Sequence, residues 1–241
     1  SVGPALADYD HDGDFDIFVA AYGPDILWRN DGGGRFVNVA PGTPLAPDIH
    51  STTAVWGDYD NDGWPDLYVA RYLADQAEAP DQLFHNLRGT FADATSAGFL
   101  EKGGSHGVAW ADYDMDGDLD LALANNHRDA AHHLYRNLLP ASVAQRSLQV
   151  RVVDARGRWT LPGAEVRVYD PRSGELLGSG IVDSGGGYCS QGATPVHIGL
   201  PEETARVRVE VVVLKSGKRQ TITRDGIVPR DYRGRVLEIR G

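Results

Sequence analysis

The sequence predicts an all-β protein in two parts, an acidic repeated part followed by a part of alternating strands. Three observations carry this expectation. One segment recurs three times, its first aspartate falling at Asp8, Asp58 and Asp112, with spacings of 50 and 54 residues. Short β-branched and aromatic runs, parted by Gly, Pro, Asn and Asp, fill the chain, and no apolar period of a helix is sustained. Beyond Ser147 several runs alternate strictly, as in Val207, Val209 and Val211 against Arg206, Arg208 and Glu210, the pattern of a strand with one buried face.

Within the repeat, "SVGPALADYD", "STTAVWGDYD" and "SHGVAWADYD" align, making Ser1, Ser51 and Ser105 equivalent. There follow "FDIFVA", "PDLYVA" and "LDLALA", then "LWRN", "LFHN" and "LYRN"; the first two copies add "RFVNVA" and "TFADAT". Four short strands per unit is the content of one propeller blade. The expected fold is therefore a partial β-propeller of three blades, about residues 1–49, 50–103 and 104–139, the third incomplete because no fourth run follows Asn137. Pro140 and the following "ASVAQ" read as a linker. Seven further runs between Ser147 and Arg240 predict a small β-sandwich over 140–241.

Charge follows the same division. Residues 1–139 hold 23 acidic against 7 basic residues, net −16, whereas 140–241 hold 11 against 16, net +5, which together give −11. An acidic front half and a dispersed basic excess behind it argue against a nucleic-acid partner. No apolar stretch is long enough to span a bilayer as a helix. With no initiating Met and no leader-like start, the sequence reads as processed or cut from a longer chain. Cys189 is the single cysteine, so no internal disulfide forms, and a lone thiol of this kind reads as a small buried hydrophobe.

Each repeat contains D-x-D-x-D-G-x-x-D. Oxygen donors at alternate positions, with glycine at the sixth, let a short loop wrap a hard cation. The carboxylates are Asp8, Asp10, Asp12 and Asp16 in the first loop, Asp58, Asp60, Asp62 and Asp66 in the second, and Asp112, Asp114, Asp116 and Asp120 in the third. Position seven (Asp14, Trp64, Asp118) would contribute its backbone carbonyl, which is why its side chain varies. An oxygen-only donor set selects Ca²⁺ over zinc or copper, so three calcium sites are expected. An EF-hand would need Glu at position twelve and a following helix; Val19, Val69 and Leu123 stand there instead, inside apolar β-like runs. Three loops in register are not accounted for as solvated acidic turns.

These loops, with the strands around them, resemble the integrin-alpha-type FG-GAP (VCBS) repeat over residues 1–139. "SGGGYCSQ" (184–191), "PVHIGL" and "VEVVVLKSGKRQTI" resemble the UnbV/ASPIC domain, and the order of the modules matches the cartilage acidic protein group. The resemblance implies a calcium-binding propeller followed by a β-domain, secreted, periplasmic or on the cell surface. Propellers of this family close with more blades than three, so an oligomer, a complex subunit or a fragment of a longer chain is expected.

The leading functional expectation is a non-catalytic, calcium-binding interaction or adhesion protein with a protein or glycan partner. A carbohydrate-active enzyme on a propeller scaffold, or a scaffold subunit of an envelope complex, are the alternatives. Catalysis would need a convergent acid and base, yet His50, His106, His127, His132 and His133 are scattered, and the counterparts of His106 are Val2 and Thr52. Trp56 and Trp110 align with Leu6, which indicates packing rather than a sugar platform.

Overall fold

The computed structural model describes residues 3–71, 80–96, 104–125, 131–158, 161–183 and 195–241. Ser1, Val2, His127, Cys189 and the stretch 184–191 lie outside them. The described residues are all-β: five small sheets set in a ring, a β-propeller arrangement, with one α-helical and one 3-10 turn.

The first repeat supplies β1 (Gly3–Ala7), β2 (Asp16–Ala20), β3 (Ile26–Asn30) and β4 (Phe36–Asn38), an antiparallel sheet in chain order. The second repeats it with β5 (Ser51–Gly57), β6 (Asp66–Arg71), β7 (Gln82–Asn86) and β8 (Phe91–Asp93). The third has β9 (Ser105–Ala111), β10 (Asp120–Asn125) and β11 (His133–Tyr135), and its sheet has no fourth strand among the described residues, matching the run missing from its sequence. Then comes α1 (Ala141–Ala144), a single turn begun by Pro140 where the sequence reads as a linker.

The seven later runs become β12 (Ser147–Val153), β13 (Glu165–Tyr169), β14 (Leu176–Ile181), β15 (Val196–Gly199), β16 (Val207–Lys215), β17 (Lys218–Ile227) and β18 (Val236–Arg240). They form two sheets, β15-β12-β18 and β14-β13-β16-β17, with β12 and β18 parallel. One apolar core lies between them, where Leu148, Val150 and Val152 of one sheet meet Val166, Val168, Val207, Val209 and Val211 of the other. The alternation read from the sequence is the burial pattern of β16, with Val207, Val209, Val211 and Val213 inside.

The repeats pack face to face, and β6 shows why its middle, Leu67 to Ala70, is apolar on both sides. Leu67 and Val69 point into a core shared with Phe18 and Leu27 of the first sheet. Tyr68 and Ala70, on the opposite face, enter a core with Val108, Trp110 and Leu121 of the third. Successive strand residues face opposite sides, so the stretch of a strand sandwiched between two sheets is apolar on both faces, and only its ends carry the paired Asp66 and Arg71. Trp56 packs with Tyr9 and Phe91, and Trp110 with Tyr68.

The expectation of three blades followed by a separate sandwich needs correction in number, because the ring holds five sheets. It fails because it leaves the arc of repeats open, whereas the C-terminal sheets turn back onto that arc. β14 packs against β1, while β12 reaches the loop that follows β9 through Gln149 and Asp112. The ring surrounds a cavity of about 340 Å³ walled by β1, β5, β9, β12, β14 and β15.

Candidate metal centre

All three acidic loops join the first and second strands of their sheets and adopt one conformation. The fourth residue (His11, Asn61, Met115) and the sixth (Gly13, Gly63, Gly117) both have positive φ. Asn tolerates that backbone readily, and glycine at the sixth position admits φ near 100° without steric cost.

A shared hydrogen-bond scheme holds the carboxylates. The glycine N–H donates to the first aspartate: Gly13 to Asp8 Oδ2 at 3.2 Å, Gly63 to Asp58 Oδ2 at 2.9 Å, Gly117 to Asp112 Oδ2 at 3.1 Å. The fifth aspartate accepts from the seventh N–H, as Asp62 Oδ1 does from Trp64 at 2.8 Å; Asp12 and Asp116 do the same for Asp14 and Asp118. The ninth aspartate is fully buried or nearly so in each copy and accepts two backbone N–H groups. Asp16 takes Tyr9 and Asn30, Asp66 takes Tyr59 and Asn86, and Asp120 takes Tyr113 and Asn137. The closing asparagine of "LWRN", "LFHN" and "LYRN" is thus part of each loop.

The predicted residues converge in part. Ligand oxygens of Asp8, Asp10 and Asp16 lie within 4.8 Å of one another, as do those of Asp58, Asp60 and Asp62, and those of Asp112, Asp114 and Asp120. A fourth group adds a residue that the sequence reading does not include: His85, with Asp60 and Asp66. His85 Nδ1 is 3.1 Å from Asp66 Oδ1 and 3.3 Å from Asp60 Oδ2. Its counterparts are Arg29, paired with Asp31, and Arg136, which sits on Asp114 and Asp116 at 2.7 and 3.2 Å. A basic side chain before each asparagine was the available signal. Asp12, Asp14, Asp116 and Asp118 fall outside the convergent groups, and Trp64 stacks on His11 with ring centres 3.9 Å apart.

Two family models match the chain. Residues 8–69 and 72–123 match the FG-GAP-like repeat, and residues 157–227 match the domain described as ASPIC and UnbV. The chain carries FG-GAP-like repeats followed by an ASPIC and UnbV domain. No curated protein matches it.

The FG-GAP loops concentrate negative charge in partly dry surroundings. Burial raises the carboxyl of Asp8 to about 6, of Asp16 to about 7 and of Asp66 to about 7. Asp112 and Asp118 rise to about 6 for the same first reason. Asp58 is pushed well above its ordinary value by burial, then by Asp66, Asp62 and Asp60. The imidazole of His85 rises to about 9, chiefly through its hydrogen bond to Asp66. Asp8 is 3% exposed, yet its Oδ1 has no hydrogen-bond partner, and neither do Asp10 Oδ1 and Asp118 Oδ1. A buried carboxylate oxygen without a donor is costly unless a cation meets it. These acidic clusters can hold a metal ion, and repeats of this family commonly bind calcium.

Proposed function

We propose that the protein is a calcium-binding, non-catalytic interaction protein of the cell exterior: secreted, periplasmic or surface-bound. Three Ca²⁺ ions would be held by Asp8, Asp10, Asp12 and Asp16, by Asp58, Asp60, Asp62 and Asp66, and by Asp112, Asp114, Asp116 and Asp120. The carbonyls of Asp14, Trp64 and Asp118 complete the shells. The supporting observation is one carboxylate cluster per FG-GAP loop, with Asp8 Oδ1 buried and unpaired in the first. Oxygen donors of this kind suit a hard cation, and extracellular modules bind calcium at about 10⁻⁴ to 10⁻³ M, which the millimolar calcium outside cells would fill. The bound ions stiffen the blades, whose outer faces and loops then meet a protein or glycan.

Metal analysis of the purified chain and thermal melting with and without chelator test this reading. Binding only to the folded form adds about 2.7 kcal/mol per site at a hundredfold excess over Kd. Calcium should raise the transition, and Asp60→Ala and Asp114→Ala should each remove one bound ion. An unmoved transition together with no calcium in the metal analysis sinks the reading.

A further inference from the structure

Each first-position aspartate is met by one residue of the C-terminal sheets, and the three residues stand on three neighbouring strands. Ser179 of β14 donates through Oγ to Asp8 Oδ2 at 3.3 Å. Gln149 of β12 donates through Nε2 to Asp112 Oδ2 at 2.6 Å. Gly199 of β15 lies so close on Asp58 that a β-carbon there would overlap its Oδ2. In all three aspartates this same oxygen accepts the N–H of the loop glycine. The outer oxygen is therefore pinned, and in Asp8 the other, Oδ1, is the buried atom with no partner.

The loop backbones are engaged as well. Arg167 donates to the Gly13 carbonyl at 2.6 Å, and Ser147 Oγ to the Gly117 carbonyl at 2.7 Å. Asn61 ties the second loop to its surroundings, its Nδ2 reaching the Gly117 and Ala144 carbonyls and its Oδ1 meeting His197 Nε2 at 2.8 Å. The surface on which the C-terminal sheets rest is thus made of the acidic loops themselves. The two side chains that donate to the aspartates, Ser179 and Gln149, are neutral, so they orient a carboxylate without cancelling the charge that draws a cation.

We propose that the C-terminal sheets complete the acidic loops: Ser179, Gly199 and Gln149 position Asp8, Asp58 and Asp112 for the cation, so that cation binding and docking of these sheets are one coupled equilibrium. This rests on the reading of the loops as calcium sites. Groups that orient a metal ligand from behind it typically govern affinity by about 10–100-fold. Coupling is reciprocal, so what docking does for the ion, the ion does for docking.

The test uses the full chain, calcium titration by calorimetry and amide hydrogen exchange. Gln149→Met and Ser179→Ala should each weaken one calcium site about tenfold or more and leave the other two, whereas Ser179→Thr, which keeps the hydroxyl, should bind as the parent does. Chelation should speed exchange in β12, β14 and β15 at the loop-facing residues, and Gly199→Ala should do so even with calcium present. Far-UV circular dichroism checks that each variant is folded. If the parent binds calcium but both variants bind equally well and chelation leaves exchange unchanged, the coupling is refuted while the metal reading stands. If the parent binds no calcium, both fall.

Discussion

Arg71 is the least expected residue of the fold. It is 1% exposed, and its guanidinium pairs with the equally buried Asp25 at 2.7 Å, with Ser51 Oγ and Gln82 as further acceptors. Burial pushes both partners toward their neutral forms, and their mutual attraction opposes it. Removing one member leaves the other charge buried and unpaired, so Arg71→Met should cost about 3–5 kcal/mol in urea denaturation at saturating calcium. A loss below about 1 kcal/mol would mean that water reaches Asp25. Sequence reading could not find this pair, because the position is Ala21 in the first copy and Asn125 in the third. The acidic loops were legible for the opposite reason: the same donor recurs at the same spacing three times, although Asp12 and Asp116 stand outside the convergent groups. His85 was missed because it lies nineteen residues from Asp66 and joins the loop only through the pairing of β6 with β7.

Between elements, the repeats are stitched at equivalent positions. Asn86 Nδ2 donates to the carbonyl of Tyr9 in the preceding repeat at 2.9 Å, and Asn137 Nδ2 to that of Tyr59 at 2.7 Å. Ser51 Oγ donates back to Asp25, and Ser105 Oγ to Asp81. In the third repeat His132 takes the aspartate's place, its Nδ1 accepting the Asn125 N–H. Asn86 is fully buried and also donates to the Pro65 carbonyl. Asn86→Ala would leave those acceptors without donors, so equilibrium unfolding should show a loss of at least about 1–3 kcal/mol. An unchanged midpoint would show that water replaces the side chain. Short β-branched and aromatic runs between turn residues marked the strands of both parts, and those of the C-terminal part also alternate because burial there has the period of the pleat. The helical turn after Pro140 was not legible, because the four residues Ala141, Ser142, Val143 and Ala144 are too few to show a helical period and α1 is held by its place beside the loops.

Across the whole molecule, the number of sheets in the ring differs from the three blades the sequence predicts. Nothing local in β12, β14 or β15 announces that their ends will cover another module's loops. Acid–base behaviour should report on those loops. Asp8, Asp16, Asp66, Asp112 and Asp118 hold their protons up to about 6–7 when folded, against 3.8 for the ordinary group. Folded-state values raised in this way give stability that is fully present below the unfolded pKa and lost as pH rises through the folded one. In chelator, the melting temperature should therefore fall between pH 4 and about 7, and calcium should restore it at the upper end. A metal-free melting temperature that climbs over this range would contradict the burial of these carboxyls. The asparagine and serine stitches have a consequence for how such a chain can change over generations. Each joins a position in one unit to a fixed position in the unit before it. An in-frame tandem duplication of the first or second unit re-creates each stitch at the new junction, because both carry the acceptor aspartate that the third replaces with His132. Blade number can therefore change by copying alone, whereas the residues that meet the C-terminal sheets must be found afresh.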